Sequence, residues 1–112
     1  MIALYSRADE SEAAMHEVLV RFDEPIPRSD GIEYFAQAIG RRRDDGLWEG
    51  CLEFSPVLPG EVVRSGRETT QPNRDALMYW AQGLSRVYLM GALERAVMPT
   101  PAIHRDREAF GL

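Results

Sequence analysis

The chain has 112 residues, 45% of them hydrophobic and 28% charged, a balance that suits one globular domain with its own core and argues against disorder. Its 18 acids outweigh 13 bases, and the net charge of −5 opposes general attraction to nucleic acid or to an anionic membrane. Every base is arginine, a bias read as bacterial-type composition; without lysine there is no Schiff-base chemistry, no lysine nucleophile and no P-loop lysine.

The opening Met1-Ile2-Ala3-Leu4-Tyr5 gives way at once to Arg7, Asp9, Glu10 and Glu12, which does not read as a signal peptide. Residues 1–14 are expected to be a loosely held lead-in. From Met15 to Asp23 two patterns compete. Val18, Val20 and Phe22 alternate as a strand does, while Met15, Val18, Leu19 and Phe22 fit helical spacing behind an Asp9-x-x-Glu12 capping box. The β-branched and aromatic content of Val18–Phe22, and the proline-marked turn after it, favour the strand. Pro25-Ile26-Pro27 holds the chain extended. The turn signal follows in Ser29-Asp30-Gly31, with Arg28 expected to add no turn chemistry.

The region from Tyr34 to Phe54 organises the rest. Asp45-Gly46 between two strand-like runs is a strong hairpin signal, because both central residues of a type I′ turn need φ > 0. With those two at the tip, Asp44 faces Leu47, Arg43 faces Trp48, Arg42 faces Glu49, Arg41 faces Gly50, Ile39 faces Leu52 and Gln37 faces Phe54. One face then carries Phe35, Ile39, Trp48, Leu52 and Phe54, with Arg41 and Arg43 beside the indole. The other carries Ala36, Ala38, Gly40 and Cys51, edged by an Arg42–Glu49 ion pair.

Pro59-Gly60 suits the inner positions of a type II turn. Glu61 to Thr69 reads as a charged edge strand. Thr70-Gln71-Pro72-Asn73 marks a helix start, with Thr70 or Asn73 as cap and Asp75 near the positive end of the dipole. Leu77, Ala81, Leu84 and Tyr88 form an apolar stripe. Gly83 is expected to stop a first helix and Ser85 to cap a second running to about Val97, a single kinked helix being the alternative. Pro99-Thr100-Pro101 ends helical structure, and 99–112 is expected to be a mobile tail. The longest apolar run, Val87 to Leu93, falls short of the ~20 residues that span a bilayer. The fold class expected is α+β: residues 1–98 as one domain, an antiparallel meander of about four strands followed by one kinked or two helices on the sheet.

Two constellations are candidate sites. Arg67, Thr69, Thr70 and Asn73 cluster at the strand-to-helix junction, where free N–H groups, hydroxyls and a guanidinium suit a phosphate or carboxylate; the alternative use of the same residues is capping. Arg41, Arg43 and Trp48 form a possible interaction surface, since arginine on an indole face can bind a nucleic-acid backbone. Six arginines against seven acids within residues 41–75 give no basic patch, however, and a nucleic-acid partner is not expected. Cys51 is the single cysteine and His16 and His104 the only imidazoles, with no metal spacing among them. Glu49 and Glu53 share a strand face and are read as solvated rather than catalytic.

No cofactor and no catalytic residue is expected. The leading reading is a small cytoplasmic protein-interaction or regulatory module. Met78, Tyr79, Trp80, Leu89, Met90, Leu93, Ala96 and Val97 put apolar surface on more than one side of the helical segment, which points to a homodimer through it, the alternative being two helices packed on each other within one chain. A binder of a small anionic ligand at 67–73 is the alternative.

Overall fold

The structure, a computed structural model, describes residues 16–98. The expectations for the lead-in 1–14 and the tail 99–112, including His104, lie outside the described residues. The elements are β1 (Glu17–Arg21), β2 (Ile26–Pro27), β3 (Glu33–Arg42), β4 (Trp48–Pro56), β5 (Val63–Arg64), β6 (Thr69–Gln71), α1 (Arg74–Gln82) and α2 (Arg86–Val97). All strand pairs are antiparallel. β1 and β2 lie end to end along β3, β3 pairs β4, and β5 and β6 lie end to end along β4. The six strands are therefore four ribbons in sequence order, two of them interrupted, and the expected meander with helices packed on it is the α+β fold that forms.

Two turns set the register, and they are built alike. In Arg28–Ile32 the Gly31 N–H donates to the Arg28 carbonyl (2.9 Å), the Arg28 N–H to the Ile32 carbonyl (2.8 Å), and Gly31 sits at φ +92°. In Arg43–Leu47 the Gly46 N–H donates to the Arg43 carbonyl (3.0 Å), the Arg43 N–H to the Leu47 carbonyl (2.7 Å), and Gly46 sits at φ +86°. Each is a three-residue loop that closes on a left-handed glycine. In each the aspartate before the glycine accepts from the aliphatic residue's N–H, at 3.0 Å for Ile32 and 3.1 Å for Leu47, and pairs with the leading arginine. Arg28 is thus part of its turn, contrary to expectation.

The three-residue loop also corrects the expected hairpin register by one residue. Arg42 faces Trp48, Arg41 faces Glu49, Gly40 faces Gly50, Ala38 faces Leu52 and Ala36 faces Phe54. A slip of one exchanges the faces of one strand. Trp48, Leu52 and Phe54 do share a side, but with Tyr34, Ala36 and Ala38; Phe35 is 44% exposed on the opposite face, and Ile39 lies there too, between Val18 and Cys51. The ion pair is Arg41–Glu49 (2.8 Å). The type II turn at Pro59-Gly60 does not form either, since Gly60 lacks the positive φ it requires.

Both outer ribbons break and bend. Between β1 and β2 the Phe22 N–H still reaches the Ala36 carbonyl (3.0 Å). The expected strand 61–69 is replaced by two short pieces, because the register against β4 shifts by two residues between Arg64 and Thr69. Buried Ser65 bridges that gap: its N–H donates to the Leu52 carbonyl (2.8 Å) and its Oγ accepts from the Leu52 N–H (2.9 Å). A hydroxyl stands in for a missing ladder carbonyl.

The core lies between this sheet and the two helices. Ile26, Tyr34, Ala36, Ala38, Leu52 and Phe54 meet Ala81, Leu89, Ala92 and Leu93, all buried. Small residues on the inner face of β3 and β4 let the helices come close. At Gly50 an added Cβ would lie 2.7 Å from Trp80 Cζ3 and 2.9 Å from Leu77 Cδ1, and at its pair Gly40 it would collide with Leu77. The caps follow the sequence: Asn73 Oδ1 accepts from the Ala76 N–H (2.8 Å), and Ser85 Oγ from the Tyr88 N–H (3.1 Å), with Gly83 closing α1.

Candidate functional site

The four residues at the strand-to-helix junction are near in sequence but are employed separately. Thr69 faces Gly50 on the inner side of the sheet and its hydroxyl accepts from the Gln71 amide (2.7 Å). Thr70, one residue on, pairs with Glu49 and turns to the opposite face. Asn73 uses its side-chain oxygen as the cap of α1. Arg67 is exposed in the break before β6. The second constellation is divided as well. Trp48 is half-buried on the inner face, Arg41 pairs with Glu49 on the outer face, and Arg43 holds Asp45 at the turn (2.8 Å).

The outer-face carboxylates are engaged in the sheet. Glu53 accepts from the Gln37 amide (2.7 Å) and from Arg64 (2.8 Å). Burial pushes its carboxyl up, but these two hydrogen bonds together with the charge of Arg64 hold Glu53 below the usual carboxylate range. Burial raises the neighbouring Cys51 thiol, so it is a poor nucleophile at neutral pH. Among the described residues no group of His, Cys, Asp and Glu is placed to hold a metal ion, and no helix is long and apolar enough to cross a membrane.

What sequence reasoning missed lies on the helical side. Glu68 ends the break in the outer ribbon. Its N–H donates to the Gly50 carbonyl (2.8 Å), and its side chain is only 9% exposed. There Oε1 accepts a short hydrogen bond from the Tyr88 hydroxyl and another from Arg95 Nη2 (2.9 Å), and the Arg95 guanidinium lies over the Tyr88 ring, 5.8 Å from its centroid. Tyr88 and Arg95 are seven residues apart on α2, hence on one face. Burial first, and then the Glu68 carboxylate, raise the Tyr88 phenol above its ordinary pKa, with Arg95 opposing. The phenol stays a proton donor at neutral pH. The i, i+7 spacing was visible in the sequence; the inward carboxylate depends on a strand break that was not.

Tyr88 is also one wall of an open groove of about 570 Å3 where α1 gives way to α2, lined by Tyr79, Trp80, Gln82, Gly83, Leu84 and Tyr88. Trp80, Leu84 and Tyr88 are half-buried there, whereas Tyr79 is 83% exposed at the rim. Three aromatic rings and a leucine around an open concavity can receive an apolar or aromatic side chain and offer hydroxyl and amide groups at the margin. The lining supplies no nucleophile paired with a base. Comparison of the chain with protein-family models, with curated proteins and with solved structures finds no match.

Proposed function

We propose that this protein is a small cytoplasmic interaction or regulatory module that works without catalysis, and that its working surface is the helical layer. The observation that carries this reading is Tyr79, a large aromatic side chain left 83% exposed at the edge of an aromatic-lined groove. Exposed aromatic clusters of this kind are characteristic of contact surfaces. The surface favours protein over nucleic acid, since the net charge is −5 and Arg41, Arg42 and Arg43 are spread along a ladder with acids beside them. The module is preferred to an anion binder at 67–73 because Asn73 and the Thr69 hydroxyl already have partners inside the fold.

A thermal-shift screen of phosphates, nucleotides and organic acids tests the choice. A ligand selective for the native state raises the melting temperature. No stabilisation is expected from any of the three classes. Stabilisation that disappears in Arg67→Ala or Thr70→Ala would move the function to the strand-to-helix junction.

A further inference from the structure

We infer that the partner of the helical face is a second copy of this chain, docked so that Tyr79 of each protomer enters the groove of the other. The inference rests on the module reading above and names its partner. A two-fold interface must be self-complementary: the patch that offers a projection must also offer the recess for it. This patch does both. Tyr79 projects from α1, and the recess beside it is walled by Trp80, Leu84 and Tyr88. A phenol ring in that recess meets aromatic faces and edges on two sides, the packing such rings prefer, and keeps its hydroxyl near the open rim.

Charge complementarity selects the same occupant. Asp75 is exposed and lies one helical turn before Tyr79, so the two side chains share a face of α1. Arg95 is 56% exposed; one guanidinium nitrogen donates to Glu68, and the group lies over the ring of Tyr88, which lines the groove. With Tyr79 seated against the partner's Tyr88, Asp75 is brought toward the partner's Arg95. The two-fold repeats that opposite-charge contact, so two pairs flank the aromatic centre. An unrelated partner would need to supply both the ring and an acid one helical turn away. The chain itself carries them at the required spacing.

Sedimentation equilibrium across micromolar concentrations, at low and high salt, tests the inference on the full chain. The wild type is expected at twice the chain mass at the upper concentrations. Tyr79→Glu is expected to be monomeric with an unchanged far-UV spectrum, because the side chain is exposed in the protomer. Tyr79→Phe is expected to remain dimeric. Asp75→Arg is expected to weaken association by several-fold at low salt and less at high salt. A wild type that stays monomeric throughout would overturn self-pairing while leaving the helical face open to another protein. A dimer indifferent to Tyr79→Glu would also overturn it. So would assemblies larger than a dimer that depend on Tyr79, since they would mean that projection and recess join without closing. A ligand found at the strand-to-helix junction, by contrast, would count against the module reading and not against the dimer.

Discussion

Gly40 and Gly50 face each other across β3 and β4, beneath Leu77 and Trp80 of α1. Neither has a positive φ, so what each contributes is the absence of a side chain where helix and sheet meet. Gly50→Ala is expected to cost about 1–3 kcal/mol, because the methyl must displace both a tryptophan ring and a leucine. Gly66→Ala is the control. Its Cβ would meet nothing within 4 Å, and restricting the unfolded chain should make it neutral or stabilising by roughly 0.4–1 kcal/mol. Urea midpoints of the two variants against wild type decide the matter. Glu53 carries the residue-scale dependence on pH. Its folded-state pKa is lowered, so its contribution to stability is fully present above the ordinary carboxylate value of about 4.3 and is lost as pH falls through the lowered one. The melting-temperature gap between wild type and Glu53→Gln should therefore be widest near neutrality and close progressively in acid.

At the scale of elements, the paired turns and the broken outer ribbon make separate demands. Gly46 at φ +86° has open space where a Cβ would go, so Gly46→Ala isolates backbone strain from packing. It should cost about 1–2 kcal/mol, with Gly46→Asn costing less because asparagine tolerates the left-handed region. Gly31 in the matching turn should respond in the same way, and circular-dichroism melts of the four variants compare them. Ser65→Ala removes the acceptor of the buried Leu52 N–H and should cost about 1–3 kcal/mol, more than an exposed serine such as Ser29. The hairpin, both helix caps and the order of elements were legible because each depends on residues a few positions apart. The register was not. Asp45-Gly46 fits a two-residue loop and a three-residue loop alike, and the choice shifts every partner by one. Hydrophobic bulk favoured Phe35 and Ile39 for the face that Leu52 and Phe54 share, yet Ile39 is buried on the opposite face and the small residues Ala36, Ala38 and Gly40 face the helices because close approach needs them there. The repeated Arg-x-Asp-Gly-aliphatic pattern at 28–32 and 43–47 was the available clue to the loop type. The Glu68–Tyr88–Arg95 cluster was illegible for a different reason: it joins a strand break to a helix 20 residues later.

At the scale of the whole molecule, the two layers bury each other's apolar faces. The sheet offers Leu52, Phe54, Tyr34 and Ile26 on one face, and the helices close over them with Ala81, Leu89, Ala92 and Leu93. Polar contacts fasten the layers at both ends of the sheet. Arg74 at the start of α1 grips Glu17 on β1, and Arg86 donates to the Pro25 carbonyl (3.1 Å). Glu94 on α2 accepts from the Ser29 N–H (2.6 Å) and hydroxyl (3.2 Å) in the first turn. These contacts are exposed and contribute little energy singly, but they fix where each helix sits. A fragment spanning residues 16–72 would keep every described strand and lose α1 and α2, leaving the fully buried side chains of Leu52 and Phe54 facing water. Burying each is worth about 1.5–3 kcal/mol, a large share of the 5–15 kcal/mol of a typical domain. The fragment should therefore show neither near-UV ellipticity nor a cooperative urea transition. In the intact chain Trp48 reports on the hairpin and Trp80 on the seat of α1, so single-tryptophan variants separate the layers. If the two layers stand only together, both fluorescence transitions coincide with the far-UV transition. A Trp80 signal lost at lower urea than that of Trp48 would show that the helices detach from a sheet able to persist without them.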